Sequence, residues 1–480
     1  MLHQWFTCVH LLDTYLANLK EGFQLSFHYP SVSIRAAQSG LQSVPAYRMR
    51  WGCHHLFRSY DGNPSNIANI RLHSVSGHTI FIQRFKQIYY ICIQIHPKDY
   101  NMNRLVIIGN GFDMAHGLKT SYMDFINWYW DCRVNSFVGD TTKVSEDCLC
   151  RLKIKDNTDI SCWNVFAFDN SYFLKSLLPK RRYTGSEVIQ YIKDNPDLFS
   201  IECCPFFETI LHSIESRGWV DIENDYYQLL KAYIDTPNCK YTVVELNNQL
   251  AYLQLLLVKY LGTIKNNNFR NDLKGGMVDY FDTADFSTEG KIKALDNMGL
   301  DYEQPHNSQY YHENRNKLQP ERIMLLSFNY TETAKMYNGD NIELNFIHGD
   351  LEHPKNIIFG YGDELDKSYQ DILDKNDNEL LRNVKSVKYL ETRHYHELLG
   401  FLMAAPFQVL IMGHSCGNSD RTLLNTVFEH ENCVSIKPYY HKRENGSDNY
   451  LELVQNISRN FTNMKLFRDR VVNKEQCKTM

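Results

Sequence analysis

The chain has 480 residues, a formal net charge of −5, and a composition that is 43% apolar and 13% aromatic. That much apolar side chain fills a sizeable core, while the slightly acidic balance argues against a broadly basic nucleic-acid binder. No apolar run reaches the ~18–20 residues of a membrane helix, and thirteen scattered cysteines, with Cys203 and Cys204 adjacent, point to free thiols in a reducing cytoplasm.

Residues 1–101 carry nine Lys/Arg against four Asp/Glu and eight of the 19 histidines, a formal charge of +5, whereas 102–480 stand at −10. Short apolar bursts at Thr79–Ile82 and Ile88–Ile95 sustain neither a helical nor an alternating period. The expectation is a poorly ordered or non-native extension, with the natural start at Met102; a basic arm for nucleic acid is the alternative. His3 and Asp13 break the first twenty residues, so they do not form a secretory signal.

From Met102 the pattern changes. Leu105–Ile108 is a buried-strand run that meets Gly109-Asn110-Gly111, a turn whose missing side chains let backbone amides approach a nucleotide. Met114 stands where a dinucleotide fingerprint needs its third glycine, and no Gly-Lys-Ser/Thr follows, which excludes a P-loop. Met123–Cys132 suits a helix, and residues 133–200 are polar without a period. Asp221–Tyr233 places Ile222, Tyr226, Leu229, Leu230 and Tyr233 on one helical face and stops at Asp235-Thr236-Pro237. Val243, Leu246, Leu250, Leu253, Leu257, Leu261 and Ile264 repeat at three and four, which predicts a long helix. A helical insertion over about 133–320 follows.

The sheet is expected to resume near 321. Ile323–Phe328 leads to Asn329, Ile342–Ile347 to His348-Gly349, Asn356–Phe359 to Gly360, and Phe407–Met412 to Gly413-His414-Ser415. Between them Tyr389–Met403 reads as a helix. Asp420 is placed to cap a helix whose apolar face is Leu423, Leu424, Val427 and Phe428. Tyr450–Phe461 reads as the last helix and Met464–Phe467 as a short strand. In an open α/β sheet, ligands bind beyond the carboxyl ends of the strands, so the four tips at Gly109, Asn329, His348 and Gly413 should converge on one site.

The run Leu105 to Asp113, followed by His116-Gly117-Leu118-Lys119-Thr120-Ser121-Tyr122, resembles the opening motif of the AbiH family of bacterial abortive-infection proteins, which act against phage. A second, shorter resemblance lies in motif order. A glycine-rich loop, then Asn329, then His348-Gly349, then Gly413-x-Ser415 with Asp420 beyond, is similar to sirtuin-like NAD-binding domains, including NAD-cleaving ones. It implies a Rossmann-like, sirtuin-related, mostly parallel sheet. It also implies that Asn329 holds the nicotinamide ribose or orients water and that His348 acts as base. Gly109, Asn110, Gly111, Gly413, Ser415 and Asp420 would line the dinucleotide.

Phe112-Asp113 departs from the sirtuin pattern. A carboxylate beside a diphosphate is electrostatically unfavourable, so Asp113 is expected to receive ribose hydroxyls, a base amine or a metal. The sirtuin zinc module is absent, and Cys148-x-Cys150 has no second metal-ligating pair. Trp219-x-Asp221-x-Glu223 resembles a feature of the family's insertion, although a first helical turn favours acidic residues in any case. His394 and His396 fall on opposite sides of their helix and make no metal pair.

Breaking a ribosyl–nicotinamide bond develops oxocarbenium-like charge and needs ribose positioning, a water and a nearby base. The expected function is therefore phage defence through hydrolysis of NAD or a related nucleotide, with NAD as candidate substrate. The alternatives are a non-catalytic nucleotide-sensing or partner-binding effector and a metal-dependent nuclease built around Asp113. A nucleotide ligand, a phage-derived trigger and a second copy of the chain are the expected partners. No membrane is expected, and the −10 balance disfavours nucleic acid.

Overall fold

The computed structural model describes residues 26–29, 32–35, 102–139, 144–155, 184–217, 221–235, 242–265, 269–282, 285–300 and 313–480. The chain divides into two units, Met1–Asp99 and Tyr100–Met480. In the first, strands β1 (Ser26–Tyr29) and β2 (Val32–Arg35) form an antiparallel hairpin with Tyr29 opposite Val32. Apart from these strands, the expectation of a separate N-terminal extension lies outside the described residues.

The second unit is built on five parallel strands: β3 (Asn103–Ile108), β7 (Ile323–Ser327), β8 (Ile342–Phe346), β9 (Phe407–Met412) and β10 (Cys433–Tyr439). Their order across the sheet is β8-β7-β3-β9-β10, and every pairing is parallel. Ranked by sequence this is 3-2-1-4-5, the doubly wound order, in which the chain reverses direction between its first and fourth strands. That switch point lies between β3 and β9.

Alternation along each strand explains why the apolar runs are continuous. Leu105 and Ile107 of β3 join Met324, Leu326, Val409 and Ile411 on one face, whereas Val106 and Ile108 join Ile323, Leu325, Leu410 and Met412 on the other. Both faces are covered by helices, so both sets are apolar; the buried polar pair Arg104 and Gln408 is satisfied by a hydrogen bond from Arg104 Nε to Gln408 Oε1 at 2.9 Å. The first face is closed by Leu398, Phe401 and Leu402 of the helix His394–Ala404 and by Leu423, Leu424, Val427 and Phe428 of Arg421–Phe428. The second is closed by Phe112 and by Leu273 and Met277 of Asn271–Val278. Truncating one such central side chain to alanine costs about 2–5 kcal/mol.

The stretch expected as an insertion, about 133–320, lies between β3 and β7. Helices α1 (Asn110–Ala115) and α2 (Tyr122–Gly139) follow β3; α2, α3 (Gly185–Asp194), α4 (Pro205–Arg217), α5 (Ile222–Asp235) and α6 (Val243–Leu261) share a second core with Phe359, Tyr361, Ile372, Leu380 and Val384 from beyond β8. Thr184 and Thr242 each close a capping box, with Glu187 and Glu245, which fixes where α3 and α6 begin. The insertion is not helical throughout. β4 (Val144–Glu146), β5 (Cys150–Ile154) and β6 (Phe199–Cys203) form a three-stranded antiparallel sheet within the stretch that showed no period.

Three elements depart from the sequence reading. Asn356–Phe359 is not a strand: Pro354–Asn356 makes a 3-10 turn, and Ile357, Ile358 and Phe359 are buried without a ladder. Met464–Phe467 belongs to the helix Met464–Arg470, which begins where the Asn463 side chain accepts a hydrogen bond from Lys465 N. β10 escaped notice because Ser435, Lys437 and Pro438 interrupt its apolar run. Lys437 is neutralised by Asp285 at 2.6 Å, and Pro438 is tolerated because β10 lies at the sheet edge. Among the described residues, no helix is long and apolar enough to cross a membrane.

Candidate functional site

The tips of β3 and β9 are pressed together at the switch point. A Cβ added at Gly109 would lie 2.4 Å from His414 Cα, one at Gly111 2.9 Å from Gly413 Cα, and one at Gly413 2.0 Å from Phe112 N. Gly413 also has φ +76°, a left-handed conformation suited to glycine. The amides of this loop are already engaged, because Gly109 N donates to Met412 O at 3.1 Å and Gly111 N to Gly413 O at 2.8 Å. Of the residues expected to line a dinucleotide, Gly109, Gly111 and Gly413 thus form a backbone clasp. Asn110 is exposed, with its amide directed at Met114 Sδ.

Asn329, at the tip of β7, tightens the same clasp by donating Nδ2 to Gly109 O at 3.0 Å. Asp113 lies behind it, accepting from Thr331 Oγ1 at 2.6 Å. Burial raises the Asp113 pKa, and hydrogen bonds from Thr331, Thr333 and Asn329 oppose the rise. Oδ2 of this carboxylate is held by the Thr331 hydroxyl, whereas Oδ1 is buried without a hydrogen-bond partner among the described residues.

Charge gathers on the other side of the tips. His348, which follows β8, sits with Nε2 3.3 Å from Asp420 Oδ1 and 3.2 Å from the Tyr389 hydroxyl. His414, which follows β9, has Nε2 3.5 Å from Asp420 Oδ2. Its Nδ1 accepts from Cys416 N at 3.0 Å, so the ring proton of the neutral form is on Nε2 and points to the carboxylate. Lys385 Nζ bridges Asp420 Oδ1 at 2.7 Å and Glu223 Oε2 at 2.8 Å, while Glu223 Oε1 accepts from Gly360 N at 2.9 Å. Asp420 occupies the cap position of its helix, as its spacing predicts, but makes no side-chain cap hydrogen bond. The buried ammonium and the two imidazoles take its oxygens instead.

These groups perturb one another. Burial, reinforced by the Lys385 charge, lowers the His348 pKa to about 4, so the ring is neutral near pH 7. Burial opposes ionisation of Asp420, yet Lys385 and His348 outweigh it and hold the carboxyl well below its ordinary range. Glu223 moves the other way. Burial first, then the charges of Asp420 and Asp221, push it up to about 7 against the pull of Lys385. Tyr122, Tyr330 and Tyr389 are all raised by burial and by the Asp420 and Glu223 charges they share.

Residues 105–441 match the model of the family described as bacteriophage abortive infection AbiH. The chain belongs to the AbiH family. No curated protein and no solved structure matches it.

The AbiH chain thus brings together two of the residues expected at the site, His348 and Asp420, with His414, which was not among them, and it leaves Asn110 facing solvent. Ser415 is exposed at the rim, its carbonyl accepting from Asn456 Nδ2 at 2.8 Å. Two principal members of the cluster were unassigned by sequence reasoning. Lys385 sits in a polar stretch with no periodic or motif signal. Glu223 carried only the weak signal of an acidic first turn, and its carboxylate leaves its own helix to reach Gly360 and Lys385. Its neighbour Asp221 caps α5 by accepting from Asn224 N at 3.0 Å and approaches the Gly417 backbone. Trp219 lies outside the described residues. Asp350, Glu352 and His353 also lie close together, but Asp350 bonds His353 within one turn and Glu352 pairs with Lys335.

Proposed function

We propose that this AbiH protein is an abortive-infection effector that hydrolyses a ribonucleotide, with NAD as the candidate substrate, at the His348–Asp420–Lys385–Glu223 cluster. The observation that carries the reading is convergence. Two imidazoles, one held carboxylate and a carboxyl titrating near neutrality meet beyond the carboxyl ends of parallel strands, at the rim where such sheets bind ligands. A neutral His348 supplies a base for a ribose hydroxyl or a water, and a positioned base contributes ~10²–10⁴-fold. Asp420 orients both imidazoles and stabilises the cation formed when either takes a proton. Asn329 acts by holding the Gly109 loop in place rather than as a ribose ligand.

A non-catalytic, nucleotide-sensing role is the second reading, favoured by the Gly109 and Gly111 amides being satisfied within the chain. The metal-dependent nuclease is disfavoured by Lys385. Its ammonium fills the place between Glu223 and Asp420 that a divalent ion would need, and Asp113 is tied to Thr331.

The test is nicotinamide release from NAD by the purified chain, with and without lysate of phage-infected cells. Turnover that falls ~10²–10⁴-fold in His348→Ala supports hydrolysis. Ligand binding without release, unaffected by that substitution, would replace catalysis by sensing. Loss of phage nucleic acid with NAD unchanged would point to the nuclease.

A further inference from the structure

We propose that Cys150 and Cys203 form a reversible dithiol–disulfide pair in the insertion, oxidised by a peroxide. The proposal stands on strand register and is independent of the nucleotide reading. Cys150 of β5 is directly opposite Cys203 of β6 in an antiparallel pairing. The adjoining pair is hydrogen-bonded, since Cys204 N donates to Leu149 O at 2.8 Å. Antiparallel ladders alternate, so Cys150 and Cys203 occupy the non-hydrogen-bonded position, where Cα atoms stand about 4.5 Å apart and side chains approach most closely. A disulfide spans roughly 4.4–6.8 Å between Cα atoms, so closure requires no slip of register.

The two side chains face each other across the ladder, and their coupling favours ionisation of Cys203 and disfavours that of Cys150. Access divides in the same sense: Cys203 is half-buried and Cys150 is 2% exposed. Cys203 is thus the attacking thiolate and Cys150 the resolving thiol. Its neighbour Cys204 is opposite Leu149 and has no thiol across the ladder.

The chemistry balances with hydrogen peroxide as the two-electron oxidant. The Cys203 thiolate attacks one peroxide oxygen, the O–O bond breaks, and the departing hydroxide takes up a proton to become water, leaving a sulfenic acid on Cys203. The Cys150 sulfur then attacks the Cys203 sulfur and loses its proton. The S–O bond breaks and a second water leaves. Two thiols have been oxidised to one disulfide and one peroxide reduced to two waters, and a small thiol reverses the step by exchange. Disulfides of this transient kind are the ones expected in a reducing compartment. The crosslink pins β5 to β6 across the long segment between them.

The reduced full chain is exposed to hydrogen peroxide, its remaining thiols are alkylated, and its peptides are mapped by mass spectrometry. The expected result is one peptide pair joined through Cys150 and Cys203, with two fewer alkylated thiols, both reversed by dithiothreitol. In Cys150→Ser, Cys203 should be trapped as a sulfenic acid and captured by dimedone; in Cys203→Ser, Cys150 should remain a thiol. Alkylation of both cysteines after peroxide treatment, linkage of Cys203 to any other cysteine, or linkage seen only in urea overturns the proposal. The wild-type peptide map decides the matter even if a serine variant fails to fold.

Discussion

Two halves of the strand-tip rim are spent differently. Around Gly109, Gly111, Asp113 and Asn329, each hydrogen bond described joins two parts of the chain itself, and the missing side chains are filled by backbone. Around His348, Asp420, Lys385 and Glu223, charge is concentrated, mutually perturbed and buried. The glycine-rich motif, the part most readily noticed in the sequence, is packed against backbone from the tip of β9. The proposed chemistry draws on His348 and Asp420, which the motif order singles out, and on Lys385 and Glu223, which no motif marks.

The comparison breaks most visibly at Lys385. Replacing it by methionine leaves Glu223 and Asp420 facing each other without a cation, so urea unfolding should show a loss of about 3–5 kcal/mol, and adding Glu223→Gln and Asp420→Asn should recover part of it. If Lys385→Met unfolds at the wild-type midpoint, the cluster is not held by this ion pair. On the clasp side, Gly413→Ala must place a Cβ against Phe112 N at a positive φ, and about 1–3 kcal/mol of strain should appear in the same measurement.

The pH dependence sharpens the contrast, because the two shifted groups pull in opposite directions. The folded His348 binds its proton more weakly than the unfolded residue, with a value near 4 against the ordinary 6.5, so its contribution to stability is lost as pH falls from 6.5 towards 4. Glu223 binds its proton more tightly when folded, near 7 against 4.5, so its contribution is lost as pH rises from 4.5 through 7. Over the shared window the slopes oppose. Glu223→Gln should uncover stability that rises with pH, by up to about 1.4 kcal/mol per unit, and His348→Gln should uncover the reverse. Identical pH profiles for the two variants would remove the coupling.

Smaller effects belong to the clasp. Asn329→Ala leaves Gly109 O without its amide and should cost about 1 kcal/mol, with a modest loss of turnover compared with His348→Ala. Asn110→Ala, on an exposed side chain, should stay within about 0.5 kcal/mol of wild type. A large effect of Asn110→Ala on ligand binding would restore the glycine loop as a contact surface.

The legible part of this fold is the part in which one physical cause acts alone. β3, β7 and β9 could be read because these central strands are buried on both faces and largely apolar, and β8, at the edge, from the apolar residues that lead to Phe346 and Ile347. Val243 to Ile264 could be read because apolar residues recur at three and four along it, and the helix runs from the Thr242 capping box to Leu261. β10 could not, because Lys437 is apolar-compatible only once Asp285, far away in sequence, is beside it. Asp420 shows the same conflict at the site. Its local spacing signals a helix cap, and a lysine 35 residues away takes the carboxylate instead. Lys385 and Glu223 were hidden for the same reason, since each is explained only by the other. The four tips gathered as expected, but the filling of the Gly109 loop by Gly413 and His414 is a contact between distant segments that spacing does not encode.

One ammonium carries a consequence for the architecture. Glu223 comes from the insertion and Asp420 from the sheet's own loops, and Lys385 holds one with each side of its charge. Excising the insertion would therefore strip a counter-ion from the interior and leave Lys385 half neutralised, so the helical segment cannot be trimmed away as ornament. Natural or engineered shortening of this chain should be tolerated only where position 223 and position 385 change together.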